Sequence, residues 1–478
     1  MLRQMTAAIS FVLCLAGLCL PSAVAAEDAG PVLSAASKAM GGDTLRTLQY
    51  SGTGSEYAFG QGINPTAPLP GYTYTSYVRI IDYEKPAWRV DRAVVKADPA
   101  RLGGGPYPPP SQTVFVNAST PWNRQADLWM TPFGFLRAAA TYHATTETKR
   151  IGGKTFSVVT FTAPNKATMN GYINEQHLLE RVETWLATMF GDTLFEAEFA
   201  AYKDFSGVKF PTRIIQKEEG RTTFDLTVTD VKPNAGVMIL QQQELNRPRL
   251  LNAPLQKLAD GVYMSRGLHV ATIVEFQDHL VVIEAPSSEA RAIEIIDAAK
   301  KNFPGKPIRY VINTHSHSDH SDGLRTFVAE GAIIITHEIN KAYLERVLSA
   351  PHTLSPDRLA ASPKNIQIET MGDKRVMTDG NQMLELHLVK GSQHSEGLLM
   401  AYFPKNKILV EADAFDPQMP VSEPPMPLNA NDTAIAKNLL DNIERLKLDV
   451  NTIIPVHYTP DFRPFTKADL LAHIAKGD

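Results

Sequence analysis

The chain has 478 residues, long enough for two or three domains, and its 44% hydrophobic and 21% charged residues are ordinary for a globular protein. The formal net charge is only -4, and lysine and arginine form no block along the sequence. Composition therefore gives no case for nucleic-acid binding. Composition also does not indicate an oligomeric state.

Residues 1–26 are predicted to be a secretory signal peptide. Arg3 supplies a positive charge, residues 9–20 form an apolar core too short for a comfortable membrane span, and Ala23 and Ala25 fit the small-x-small cleavage pattern. An uncleaved N-terminal helix is the alternative. Cleavage would give a periplasmic or secreted protein with no stable membrane insertion.

Both cysteines, Cys14 and Cys19, fall within this segment. The mature chain would then contain no cysteine, which suits an oxidising compartment and excludes disulfide bonds. Any metal ligand would have to be histidine, aspartate, glutamate or tyrosine.

Residues 27–230 are predicted to form an antiparallel β-rich domain with one buried face. Segments 72–80, 156–161 and 223–229 alternate apolar and polar residues and are rich in β-branched and aromatic types. The run 103–110, which is almost entirely glycine and proline, predicts a surface loop.

Residues 231–258 are predicted to be a linker, because they carry three prolines and a run of glutamine. In residues 259–478 strand-like segments such as 280–284 alternate with helical segments such as 288–301 and 433–446. This alternation predicts a layered α/β domain.

The most informative segment is His-Ser-His-Ser-Asp-His at residues 315–320, directly after an apolar, strand-like run. Alternate side chains of an extended segment point the same way, so His315 and His317 can reach one metal. Asp319 and His320, beyond the turn, can reach a second. The alternative is a loop that is rich in histidine by chance.

Three later residues complete a site for two metals. His394, Asp413 and His457 each lie just beyond a predicted strand, and ligands gathered from several strand ends at one rim are expected for such a site. We predict two zinc ions, with iron or manganese as alternatives. The predicted metal ligands are His315, His317, Asp319, His320, His394, Asp413 and His457.

The order of these residues resembles the metallo-β-lactamase-fold hydrolase superfamily, from about residue 258 to the C-terminus. The resemblance implies an αβ/βα sandwich in which His315, His317 and His394 hold the first metal, Asp319, His320 and His457 the second, and Asp413 bridges them. It also implies attack by a metal-bridging hydroxide on the substrate. The sequence departs from the usual pattern at Asp322, where a small residue is common, and at Ser395-Glu396-Gly397 after the third histidine.

The resemblance favours hydrolysis of an ester, lactone or thioester in a small molecule. True metallo-β-lactamases use cysteine or serine where this chain has Asp413, whereas lactonase-like and glyoxalase II-like members have aspartate. A β-lactam hydrolase and a mononuclear iron persulfide dioxygenase of the same fold are the enzymatic alternatives. The non-enzymatic alternative is a carrier of apolar ligands through the N-terminal domain, whose tryptophans would otherwise be core residues: Trp88, Trp122, Trp129 and Trp185.

Five other polar residues are candidates for roles at or near the site. Asp319 is expected to accept a proton after attack in addition to binding metal, and Tyr458 is a candidate donor to a developing oxyanion, with simple packing as its alternative. Glu411 is either an orienting partner of a ligand histidine or exposed. His337 is either close to the site or a helix cap, and His269 could line the pocket entrance.

Overall fold

The computed structural model describes residues 27–97, 102–104, 108–117, 119–163, 167–236, 239, 254–267, 269–416, 430–457 and 463–477. The predicted signal peptide with its two cysteines, most of the predicted linker, and Tyr458 lie outside these residues. Within the described ranges, no helix combines the length and the apolar character needed to cross a bilayer.

A 12-stranded antiparallel sheet organises the N-terminal half. In chain order its strands are β1 (Glu27–Asp28), β2 (Thr47–Tyr57), β3 (Gly71–Asp82), β4 (Ala87–Lys96), β5 (Ser111–Phe115), β6 (Thr145–Ile151), β7 (Lys154–Thr162), β8 (Thr168–Asn174), β9 (Leu179–Thr188), β10 (Gly191–Phe205), β11 (Val208–Glu218) and β12 (Arg221–Pro233). They lie in the order β1-β6-β7-β8-β9-β10-β11-β12-β2-β3-β4-β5. This confirms the predicted antiparallel β-rich fold of the N-terminal half.

Three helices pack against this sheet, and the strand-rich sequence pattern did not indicate them. They are α1 (Gly30–Met40), α2 (Trp122–Trp129) and α3 (Pro132–Thr141). Helix α3 buries nearly its whole length, including Phe133 and Phe135. A helix that is buried all round lacks the one-sided apolar stripe by which a surface helix is recognised in sequence.

Two further sheets form the C-terminal half. The first has the strands β13 (Gln256–Ala259), β14 (Val262–Ser265), β15 (Ala271–Glu275), β16 (Leu280–Ile283), β17 (Ile308–Ile312), β18 (Ile333–His337) and β19 (Ile368–Met371), in that spatial order. The second has β20 (Lys374–Thr378), β21 (Met383–Leu388), β22 (Leu399–Phe403), β23 (Ile408–Glu411) and β24 (Thr452–Pro455), also in order. Strands β16 to β19 are parallel to one another, and so are β23 and β24.

Helices cover the outer faces of these two sheets. They are α4 (Glu289–Asn302), α6 (Leu324–Glu330), α7 (Lys341–Leu348), α8 (Arg358–Ala361), α9 (Ala430–Arg445) and α10 (Lys467–Gly477). The short helix α5 (Ser318–Ser321) follows β17, and a 3-10 turn at Glu338–Asn340 follows β18. The Ser288 side chain caps α4 by accepting a hydrogen bond from the Arg291 amide, and Lys300 and Lys301 lie in its last turn, where cations are favoured.

The core residues alternate along the central strands. In β16, Val281 and Ile283 pack between the two sheets, whereas Leu280 and Val282 pack with Ile295 of α4 on the outer side. A strand that is buried on both faces reads as a continuous apolar run, as 280–283 does. The layering helix, sheet, sheet, helix confirms the expected αβ/βα sandwich.

Two predicted segments differ from the structure. The described residues of the loop predicted over 103–110 belong to no helix or named strand, and residues 105–107 lie outside the described ranges. The expected surface position does not hold at its first residues, because Gly103 pairs with Gly62 in an isolated β-bridge and Gly104 packs against two histidines of the C-terminal half. Composition identified the loop but carried no information about what it packs against. At the predicted linker, β12 continues to Pro233 and β13 begins at Gln256, so both ends of the interval 231–258 are strand residues.

Candidate metal centre

All seven predicted ligands lie at one edge of the two-sheet sandwich, five of them in loops and two, Asp319 and His320, in the short helix α5. Because neighbouring parallel strands end at the same edge, the loops after β16 and β17 meet there, as do the loops after β23 and β24. Backbone hydrogen bonds join the sheets at this edge: the Leu399 amide donates to the Thr314 carbonyl and the Val270 amide to the Val456 carbonyl, each at 2.9 Å.

His315, His317 and His394 form a first group whose candidate ligand atoms lie within 4.8 Å of one another. The Nε2 atoms of His315 and His394 are 3.3 Å apart, and all three side chains are buried. Burial, helped by the neighbouring histidines, lowers the pKa of each ring, to about 3 for His317. The rings are therefore neutral, which is the form that binds metal.

Asp319, His320 and His457 form a second group, and His269 joins them within the same 4.8 Å limit. The Oδ2 atom of Asp319 lies 3.4 Å from Nε2 of His320, 3.5 Å from that of His457 and 3.6 Å from that of His269. The sequence placed His269 only at a pocket entrance; the structure places it beside the second group.

The Asp413 carboxylate lies between the two groups. Its Oδ2 is 2.7 Å from Nε2 of His320, and its Oδ1 is 2.9 Å from Nε2 of His457. The same Oδ2 is 3.6 Å from Nε2 of His315 and 3.7 Å from that of His394. A single carboxylate thus reaches both groups, as a bridging ligand must.

Glu411 holds the turn that presents Asp413. This side chain is buried, and its Oε2 accepts hydrogen bonds from the Ala414 and Phe415 amides at 3.0 Å each. Asp413 itself has a φ of 56°, a left-handed conformation that non-glycine residues adopt only when their surroundings enforce it. Glu411 is therefore neither exposed nor a partner of a histidine: it stabilises the strained turn.

The carboxylate that orients a histidine is Glu284, which the sequence did not single out. Its Oε2 lies 2.9 Å from Nδ1 of His320, and both side chains are fully buried. With Nδ1 donating to Glu284, Nε2 of His320 faces Asp413 and is the ring atom available to a metal. A signal was present, since Glu284 follows β16, the parallel neighbour of the strand that leads into the histidine motif.

Other polar contacts fix the remaining rings. Nδ1 of His315 lies 3.0 Å from the Thr314 hydroxyl, and Nδ1 of His269 lies 2.9 Å from the Ser287 hydroxyl. In each case the hydroxyl occupies one ring nitrogen and leaves Nε2 for the centre. Partners of this kind fix the tautomer and orientation of metal-binding histidines.

Asn313 supports the backbone of the 315–320 loop. Its side-chain amide donates to the carbonyls of His315 and His320, at 2.6 and 3.3 Å, while its Oδ1 accepts from the Thr336 hydroxyl at 3.2 Å. The network is buried, so each lost contact would leave a polar group without water.

The second group and Asp413 carry buried carboxylate charge that a cation would neutralise. Burial raises the pKa of Asp413, but His320, His457 and His394 outweigh it and hold that pKa well below its usual range. Burial lowers the pKa of His457, but Asp413 outweighs burial and raises it to about 9. Burial also raises the pKa of Asp319, but His320 and His269 outweigh it and hold that pKa below its usual range. Both carboxylates are thus ionised, and a bound metal would neutralise them as the imidazolium rings otherwise do.

Two segments of the N-terminal half also reach this edge. The Gln61 amide donates to Oδ1 of Asp319 at 3.0 Å, and the Gly62 carbonyl accepts from Nε2 of His317 at 3.0 Å. Gly104 lies against His317 and His394. No pattern around these residues in the sequence indicated such contacts.

Asp322 and His337 lie outside the two groups of candidate ligands. Asp322 is in neither group; burial, with Glu289 and Asp357 nearby, raises its pKa to about 7. His337 caps the 3-10 turn, its ring accepting from the Ile339 amide at 3.3 Å. The predicted oxyanion donor Tyr458 lies outside the described residues.

The donor set fits one or two divalent transition metals. It consists of imidazole nitrogens and carboxylate oxygens, which suit zinc, iron or manganese. Nδ1 of His317 and Nε2 of His269 are buried without a hydrogen-bond partner among the described residues. Buried polar atoms in proteins usually have a partner, so a ligand is expected at each of these two nitrogens. A cation in each group would supply one.

The sequence was compared with protein-family models and with known proteins. The model of the metallo-beta-lactamase superfamily matches residues 264–457. An alkyl/aryl-sulfatase of Saccharomyces cerevisiae is 38% identical over 81 residues, and a linear primary-alkylsulfatase of a Pseudomonas species is 36% identical over 81 residues. Each match covers 16% of this chain and only 12% of the sulfatase.

The solved structures that the chain matches include a metallo-beta-lactamase from Pontibacter korlensis, with 15% identity and a TM-score of 0.34. The alignment covers 46% of this chain and 96% of that one. The family match spans both histidine groups, from His269 to His457. Over residues 264–457 the chain is therefore similar to the metallo-beta-lactamase superfamily.

Proposed function

We propose that the protein is a hydrolase that uses two divalent metal ions, most simply zinc, to cleave an ester bond in a small molecule. The observation that carries the proposal is the position of Asp413, whose two carboxylate oxygens lie 2.7 and 2.9 Å from His320 and His457 and whose Oδ2 also faces the first group. A site for a single ion has no need of a carboxylate placed between two sets of histidines.

The residues divide the work of holding the ions. His315, His317 and His394 would hold the first, Asp319, His320 and His457 the second, and Asp413 would bind both. Bound ions would lower the pKa of a water molecule toward neutrality and polarise the bond to be cleaved. Asp319, whose Oδ2 faces His320 and His457, is placed to accept the proton of that water.

Solvent reaches the centre from the side of the second group. The side chains of Asp319 and His457 retain 33% and 15% of their exposure, whereas those of His315 and His320 retain none. A substrate would therefore meet Asp319 and His457 first, and His269 beside them.

Carboxylic esters, lactones and thioesters are the substrate classes that a bridging aspartate favours. Sulfate esters are a second candidate, supported by the local similarity to two alkylsulfatases. β-Lactam hydrolysis is secondary. The mononuclear iron dioxygenase alternative is weakened because Asp319, His320 and His457 form a complete second group.

A carrier role for the N-terminal half is also weakened. Trp88 and Trp122 are buried in its hydrophobic core, and Trp129 is packed against that core. These three rings contact other core residues and do not line a site for an apolar ligand. Trp185 is half-buried beside Asp192 and Pro351, in a cleft of about 500 Å³ between the two halves.

We further propose that the protein is exported, with residues 1–26 removed, and that residues 27–230 and 259–478 are its two domains. The support for export is the signal-like sequence alone. N-terminal sequencing of the chain isolated from the periplasm and the medium would test it: a start near residue 27 is expected, and a start at Met1 would contradict the proposal.

The test of function combines metal analysis with a substrate panel. The wild type, Asp413→Ala and His317→Ala would be assayed on lactones, carboxylic esters, thioesters, alkyl sulfates, phosphoesters and a chromogenic β-lactam, with metal content measured for each. His279→Ala is a matched control, because His279 is also buried but lies at the start of β16, at the other end from Glu284.

We expect two ions per wild-type chain and a loss of both metal and turnover in Asp413→Ala and His317→Ala, with the control unchanged. Full turnover in both site variants would contradict the proposal. One iron per chain with oxygen uptake would favour the dioxygenase instead.

A further inference from the structure

We infer that the N-terminal half is part of the metal centre: the adjacent residues Gln61 and Gly62 orient one ligand of each metal, and Gly104 closes the space beside the first. Residues 61–64 and 102–104 are called the cap below. The inference rests on the proposed binding of two metals, and it assigns to the β-rich half a role in positioning their ligands.

The Gly62 carbonyl sets the state of His317. A carbonyl oxygen can only accept, so the 3.0 Å contact to Nε2 requires the proton of the neutral ring to be on Nε2. The lone pair is then on Nδ1, the buried nitrogen that has no hydrogen-bond partner. Gly62 thus selects the tautomer in which Nδ1 of His317 is the metal ligand.

The Gln61 amide sets the orientation of Asp319. Its nitrogen donates to Oδ1 of Asp319 at 3.0 Å and lies 3.2 Å from the Ser318 hydroxyl. The other oxygen, Oδ2, is the one that faces His320 and His457. The amide therefore holds the outer oxygen while the inner oxygen is presented to the second metal.

Gly104 allows the cap to lie directly on the first group. A Cβ atom at this position would lie 2.5 Å from Cε1 of His394, 2.7 Å from Cε1 of His317 and 2.8 Å from Oε1 of Gln61. Real Cβ contacts are never that short, so any larger residue would displace a ring. The φ of Gly104 is not in the left-handed region, and glycine is needed here for space alone.

Backbone hydrogen bonds make the cap and the His394 loop one unit. The Gly104 amide donates to the Gln61 carbonyl at 2.9 Å, and the Gly103 amide donates to the Gln393 carbonyl at 3.0 Å. The Glu396 amide donates to the Ile63 carbonyl at 2.8 Å. Displacement of the cap would therefore disturb the loop that carries the third histidine as well as His317.

The cap also explains why the two groups differ in exposure. The cap covers His317 and His394, and both are buried. It contacts Asp319 only at Oδ1, and that side chain remains partly exposed to solvent. Substrate access is thereby confined to the side of the second metal.

The experiment uses the full-length protein with Gln61→Ala, which removes the amide, and Gly104→Ala, which inserts the Cβ. Gly236→Ala is the control for the second variant, because a Cβ there meets nothing within 4 Å and its φ is also ordinary. Gln216→Ala, at a half-buried glutamine of β11, is the control for the first.

Each protein would be dialysed against graded concentrations of a zinc chelator, and retained zinc would be counted. The visible spectrum of each cobalt-loaded protein and the melting temperature of each metal-free protein would also be recorded. Loss of a contact that orients a metal ligand weakens metal binding by about 10–100-fold. We expect a loss of zinc affinity in this range at the second ion for Gln61→Ala and at the first ion for Gly104→Ala. The cobalt spectrum of each variant should change, and the melting temperature of the metal-free protein should not.

The outcomes separate the two proposals. A wild type that binds no metal overturns both the function and this inference. A wild type that binds two ions, with Gln61→Ala and Gly104→Ala retaining zinc and cobalt spectra like their controls, overturns the inference and leaves the function standing. If Gly104→Ala lowers the metal-free melting temperature, Gln61→Ala, which introduces no clash, decides the matter.

Discussion

The Nδ1 atom of His320 lies 2.9 Å from Oε2 of Glu284, and neither side chain is accessible to solvent. Glu284 has a φ of 81°, so the backbone is held in an unfavourable conformation at the point where this carboxylate is aimed at the ring. Strain of this kind persists only where the surroundings enforce it. We take the Glu284–His320 pair to be the main orienting contact of the second metal.

Substitution of Glu284 tests that contact. In Glu284→Ala, Nδ1 of the buried His320 loses its acceptor and the ring is free to reorient, so we expect binding of the second metal to weaken by about 10–100-fold. Glu284→Gln keeps an acceptor oxygen but loses the charge, and a smaller loss is expected. Chelator titration with zinc counting would measure both; wild-type affinity in Glu284→Ala would refute this role.

His269 is expected to contribute to the second metal although the sequence did not assign it as a ligand. Its Nε2 lies 3.6 Å from Oδ2 of Asp319 and has no hydrogen-bond partner. His269→Ala should weaken the second ion and leave the first in place. His279→Ala is the matched control, since both rings are 8% exposed. Equal zinc retention in the two variants would show that His269 only lines the site.

Glu411→Ala should destabilise the fold as well as the metal site. Removal of this carboxylate leaves the buried amides of Ala414 and Phe415 without an acceptor, at a cost of roughly 1–3 kcal/mol for each. The turn that holds Asp413 at its positive φ would also relax. Urea unfolding of the metal-free protein measures the first effect and zinc counting the second; a variant that matches the wild type in both would exclude the role.

Glu218 gives the N-terminal half a defined pH response. Burial, with Asp127 adding to it, raises the pKa of Glu218 from 4.5 to about 7 in the folded chain. The folded state then binds a proton more tightly than the unfolded state, so this group's contribution to the free energy of unfolding is lost as pH rises from about 4.5 to 7. Glu218→Gln should remove this decrease in the free energy of unfolding between pH 4.5 and about 7. Unfolding of both metal-free proteins across this range is the measurement; parallel curves would contradict the assignment.

The local parts of the site could be predicted from sequence for physical reasons. His315 and His317 are two residues apart on extended backbone, and His394 and His457 each follow a strand, so the period of a strand and the common edge of parallel strands suffice to bring them together. The same period failed at Glu411. Strand β23 ends there and Asp413 is left-handed, so the rule that residues two apart share a side no longer holds.

The contacts between distant segments could not be predicted. Gly62 and His317 are separated by 255 residues, and a backbone carbonyl has no sequence signature. Gly104 lies in a run whose composition predicts a loop on any protein surface. Helix α3 is buried on nearly every side, which removes the periodicity that would have identified it. In each case the decisive information is tertiary packing.

The binding of two cations, one on either side of Asp413, would be measured most directly by anomalous diffraction from a crystal of the zinc-loaded protein. We predict two zinc peaks roughly 3.5–4 Å apart, one among His315, His317 and His394, the other among Asp319, His320 and His457, with the Asp413 carboxylate between them. A single peak, or peaks that Asp413 does not touch, would contradict it.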